Sequence, residues 1–77
     1  MIIDGKVVTR IARTCWQPDD DRRLRNMLVI GRAQVELDGH DKIDGLVLAS
    51  TDPRNLGARF VQFFEPWSSR CILVELE

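Results

Sequence analysis

Residues 29–48 constrain this chain more than any other stretch. Val29, Gly31, Ala33, Val35 and Leu37 alternate with Ile30, Arg32, Gln34 and Glu36. That is the period of two of a strand with one face toward a core. Asp38-Gly39-His40-Asp41 comes next, and Asp and Gly tolerate the backbone angles of a tight reversal. Ile43, Gly45, Val47 and Ala49 then resume the alternation. The pattern predicts a β-hairpin whose two strands turn one face each toward a shared interior.

The rest of the chain fits around this hairpin. Ile2 to Thr14 reads as an opening strand, rich in β-branched Val7, Val8, Thr9 and Ile11, with Asp4-Gly5 breaking or bending its start. Its imperfect alternation suits an edge. Trp16-Gln17-Pro18 and the acids Asp19, Asp20 and Asp21 form a connection. Residues 22–26 admit two readings, a short helical turn capped by those acids or an extended basic arm.

Two readings also compete after the hairpin. Asp52-Pro53 is a good helix start, and Leu56, Phe60 and Phe63 or Phe64 would share a helical face that Pro66 ends. Against this, Gly57 weakens a helix interior, and Arg59 to Phe64 carries strong strand propensity. Loop then strand is the preferred reading. Pro66-Trp67-Ser68-Ser69 is a turn, and Cys71 to Leu76 a closing strand with Ile72, Val74 and Leu76 on one side and Glu75 and Glu77 outward. The expected fold is all-β, one domain over residues 1–77, a small partly closed β-barrel of about five strands. The alternative is α+β, with a helix at 53–65.

Composition narrows the function. With 44% hydrophobic and 30% charged residues, the chain is an ordinary globular one rather than a disordered one. The net charge of −1 supplies no basic field, which argues against a nucleic-acid partner. A chain of 77 residues buries only about 60% of its unfolded surface, which is compatible with a homodimer. No apolar run approaches the roughly 20 residues needed to cross a bilayer, and no export signal opens the sequence. The expectation is a cytoplasmic protein without membrane contact. Cys15 and Cys71 can pair only if their strands are neighbours, and two free buried thiols are the simpler reading.

No catalytic constellation stands out. His40 is the only histidine, sits in the hairpin turn and reads as an exposed polar residue. With two distant cysteines it lacks the ligand spacing of a zinc site. Asp19 to Asp21 do not alternate as calcium-loop ligands do and read as a solvated charge run. Ser50, Ser68 and Ser69 occupy no nucleophile-type turn, and there is no Gly-rich phosphate loop. The expectation is a non-enzyme without cofactor. Arg22, Arg23 and Arg25 form the most suggestive polar cluster, since each guanidinium fork can hold a phosphate; pairing with the acids beside them is the plainer role. Trp16 and Trp67 each adjoin a predicted turn, where they either lid the barrel ends or offer a docking surface to a protein partner.

The order of these features resembles the PilZ domain, a small bacterial signalling barrel that commonly binds cyclic di-GMP. The resemblance covers roughly residues 22–77. It runs from the Arg cluster through Val29 to Gly39 and Ile43 to Leu48, then Asp52 to Phe60, and finally Cys71 to Leu76. It implies ligand binding by Arg22, Arg23 and Arg25 in place of an RxxxR arm, and by Asp52 and Gly57 at the ends of a [DN]xSxxG motif. No two of the arginines are four apart, however, and Arg54 stands at the serine position. The family's trailing C-terminal helix has no counterpart either. Members with such departures act as interaction modules. The resemblance therefore implies a protein-binding module first and a cyclic di-GMP receptor second. A weaker similarity, through Val35 to Gly39, Gly45, Asp52 and Asn55, is to the Sm-like fold of RNA-binding rings, with each gap off by one. A third class, a small inhibitor encoded by a phage or other mobile element, fits the size and acidic bias without specifying a target.

Overall fold

The structure, a computed structural model, describes residues 1–8, 11–15 and 26–76, with the backbone alone for 11–15. Seven strands form one antiparallel sheet: β1 (Ile2–Ile3), β2 (Lys6–Val7), β3 (Ile11–Cys15), β4 (Met27–Glu36), β5 (Ile43–Ser50), β6 (Arg59–Glu65) and β7 (Arg70–Leu76). Their order across the sheet is β2-β1-β4-β5-β6-β7-β3. Chain length makes that sheet curl. β2 and β3 lie on opposite edges, six strand spacings or roughly 29 Å apart if the sheet were flat. The chain from Val7 to Ile11 spans only about 14 Å. The two edges are therefore drawn toward each other, and the fold is an all-β, partly closed barrel. Among the described residues there is no helix, and none is long and apolar enough to cross a membrane.

Residues 53–65 thus resolve as loop then strand. Asn55 N–H donates to Asp52 O and Ala58 N–H to Asn55 O, each at 2.9 Å, closing tight turns. Gly57 then takes a φ of 85° that β-branched or bulky side chains resist, which ends any helical course. The opening stretch divides too. Asp4 and Gly5 both have positive φ (48° and 79°), as a two-residue type I′ hairpin requires, so Ile2 pairs with Val7 and Ile3 with Lys6. What reads as one bent strand is a small hairpin and then a separate β3.

The central hairpin forms with an irregularity that alternation does not foretell. Ala33 pairs with Gly45 and Val35 with Ile43, but Val29 faces Leu48 and Gly31 faces Val47, leaving Ile30 as an extra residue. Ala33 and Val35 are buried as the alternation predicts, whereas Val29 and Gly31 are exposed.

The core occupies both faces of the sheet. On β6, adjacent Phe60 and Val61 are both buried, and on β7 so are Ile72, Leu73 and Val74. Successive strand side chains point to opposite faces, so two clusters form. The larger, on the concave side, joins Ile3, Ala33, Val35, Val61, Phe63, Ile72 and Val74. The smaller joins Leu48, Phe60 and Leu73, with Met27 and Ala58 against it. The closing strand thus presents Ile72 and Val74 to one side as expected, but its other side is also covered, at Leu73.

Candidate binding site

Two places on this scaffold are candidates for a binding site. The first is a cavity of about 490 Å³ at the barrel end where β5 passes to β6. Its floor is concave-face side chains, Ala33, Val47, Val61 and Leu76, and the β1–β2 hairpin supplies one wall through Lys6, Val7 and Val8. That hairpin is anchored locally. Val8 N–H donates to Met1 O at 3.0 Å, Asp4 N–H donates to Gln34 O at 3.0 Å, and Asp4 Oδ1 accepts from Gln34 N–H at 2.9 Å.

The connection from Asp52 to Ala58 closes the same end. Ser50 organises it: its hydroxyl accepts from Asp52 N–H at 3.2 Å and its carbonyl from Gly57 N–H at 3.3 Å, while its own N–H donates to Ala58 O at 2.8 Å. Ser50 is 6% exposed, and these bonds explain why a hydroxyl can be buried there. The expected ligand residues Asp52 and Gly57 are therefore brought together, and Gly57 lines the cavity. The Asp52 carboxylate is already engaged. Oδ1 accepts the Arg54 N–H at 2.9 Å, and the guanidinium lies 3.4 Å from both oxygens. The backbone N–H and then the side chain of Arg54 hold the Asp52 carboxyl below its ordinary range. Arg54 thus occupies both carboxylate oxygens of Asp52.

The second place is the start of β4. Leu28, Val29 and Ile30 are 60%, 61% and 51% exposed, on a strand bonded to β5 along one edge only. Its outer edge meets β1 at Val35 and Glu36 and Asp4 at Gln34. From Met27 to Ala33 that edge pairs with no described residue. A strand edge with free N–H and C=O groups, flanked by apolar side chains, is a template for another strand.

Trp67 lies in the β6–β7 turn and lines neither place. His40 stacks on it, ring centroids 3.7 Å apart and planes 8° from parallel, so the β4–β5 and β6–β7 turns are joined through their tips. Beside the stack, Arg70 lies 3.4 Å from Glu65, whose carboxylate also accepts from the Ser68 hydroxyl at 2.8 Å. His40 is exposed as its turn position suggests, but it is a packing partner as well. Arg22, Arg23, Arg25 and Trp16 lie outside the described residues. Cys15 and Cys71 do occupy neighbouring strands and opposed register positions, and Cys71 is a half-buried free thiol. Lys6 and Arg59 at the cavity mouth escape a reading of the sequence, because nothing local marks a rim made by residues 53 apart. Leu28-Val29-Ile30 does carry a signal, since three consecutive apolar residues cannot share one face of a strand. No protein-family model, no curated protein and no solved structure matches this chain.

Proposed function

We propose that this chain is a non-catalytic binding module that receives an extended segment of a protein partner along the start of β4. The observation that carries this reading is the exposure of Leu28, Val29 and Ile30 beside an outer strand edge that no described residue pairs between Met27 and Ala33. Backbone groups of an added strand give affinity in such an arrangement, and side chains on its two faces give selectivity. The bulge at Ile30 supports it further. A bulge increases local twist and re-aims side chains, so consecutive apolar groups are presented on a short, curved edge rather than a flat one.

Selection from a library of displayed extended peptides tests this. Apolar sequences are expected whose binding shifts the amide resonances of Met27 to Ala33 and is lost in the Leu28→Lys/Ile30→Lys variant. Peptides that bind that variant unchanged would remove the basis of the proposal. Sedimentation of the chain alone distinguishes a foreign segment from a second copy occupying the same edge.

A further inference from the structure

The cavity between the β1–β2 hairpin and the concave face has an amphipathic build. Its floor, Ala33, Val47, Val61 and Leu76, is entirely aliphatic. Among the described residues its charged members are Asp4, Lys6, Arg59 and Glu75, two of each sign. Asp4 is engaged by the Gln34 N–H, and Glu75 already has an interaction of its own. Lys6 and Arg59 form no ion pair with any described residue.

Register brings both cations to the same side as the floor. Arg59 pairs with Leu76, and Lys6 pairs with Ile3, a member of the concave core. A charged head has two donors waiting at the mouth, one a planar fork and one an ammonium. An apolar body has an aliphatic floor, and the volume of about 490 Å³ lies in the range of small-molecule sites.

From this we infer that the barrel mouth binds a small amphipathic organic anion, with its carboxylate or phosphate head between Lys6 and Arg59 and its apolar body over Val47 and Val61. This site is separate from the β4 edge, so either can fail without the other.

Calorimetry with four probes, each below its micelle concentration, tests the inference: decanoate, decyl phosphate, decanol and acetate. Decanoate or decyl phosphate should bind at least tenfold more tightly than decanol, which lacks the charge, and than acetate, which lacks the body. The better of the two charged probes identifies the head. The Lys6→Gln/Arg59→Gln variant alters only exposed side chains, so its unfolding midpoint should hold while affinity falls at least tenfold. Equal binding of decanol and decanoate would overturn the inference. So would undiminished affinity in the folded double variant, or the absence of heat with every probe.

Discussion

Two aliphatic triplets in this chain have opposite fates. Ile72-Leu73-Val74 on β7 is 5%, 0% and 0% exposed, while Leu28-Val29-Ile30 on β4 is 60%, 61% and 51% exposed. In composition the two are nearly interchangeable, and both lie in strands. The difference is position in the sheet. β7 is flanked by β6 and β3, and its centre is covered on both faces. The start of β4 is flanked by β5 alone among the described strands, and it runs beyond the part of the concave face that β1 reaches. Hydrophobicity therefore marks both as strands that want covering. Topology decides which one the described strands cover and which they leave exposed.

Truncating one residue of each triplet puts this contrast to its hardest test. Leu73→Ala should cost about 2–5 kcal/mol, because a fully buried side chain leaves a cavity between Leu48 and Phe60. Leu28→Ala should stay within about 0.5 kcal/mol, since its side chain is already largely in water. Urea unfolding of both variants is the measurement, and equal costs would mean that the start of β4 is covered after all.

Two glycines extend the test. A Cβ at Gly45 would stand 2.9 Å from Val61 Cγ1, 3.2 Å from the Gln62 carbonyl and 3.3 Å from Val35 Cγ2. Gly45→Ala should therefore destabilise by about 1–3 kcal/mol through overpacking. Gly31 meets nothing within 4 Å and has no positive φ, so Gly31→Ala should be neutral or stabilising by up to about 1 kcal/mol, through lower unfolded-state entropy. Thermal unfolding of the pair separates the buried part of the hairpin from its exposed part.

A smaller effect is expected at the stacked turns. Trp67→Ala removes the stack with His40 and should cost about 0.5–1.5 kcal/mol. His40→Ala should cost a similar amount, and the double variant should cost less than the two together. Additive costs in that cycle would mean that the stack does not couple the two turns.

Smallest is the acid limb at Asp52. Its carboxyl is held below the ordinary value, so its contribution is present above about pH 4 and is lost as pH falls through the lowered value. Asp52→Asn should remove a small stabilisation that is present above about pH 4, so the variant is slightly less stable at neutral pH and converges with the wild type in acid. The carboxylate is on the surface, so the effect is small. A loss of the same size in acid as at neutral pH would contradict the ionised Arg54 contact as its cause.

Local pattern was enough to place β4 to β7 and several of their turns. Alternation over residues 29–48, propensity over 59–64 and the closing run at 71–76 are properties of side chains on a pleated backbone, and they read correctly as all-β. Asp4-Gly5 was legible as a break, because the residue pair signals positive φ. It was not legible as a hairpin, because the pairing of Ile2 with Val7 depends on where the whole ribbon docks. Which faces became buried was settled by the assembled sheet. Leu73 is covered because β7 has sheet on both sides and packing on both faces, and β3, which completes that arrangement, comes from more than 50 residues earlier in the chain. Lys6 and Arg59 share a cavity for the same reason, through pairings of β1 with β2 and with β4 that no local pattern encodes. A strand's periodicity states how many faces want to be dry, and only the neighbours that the whole chain brings to it state how many become so.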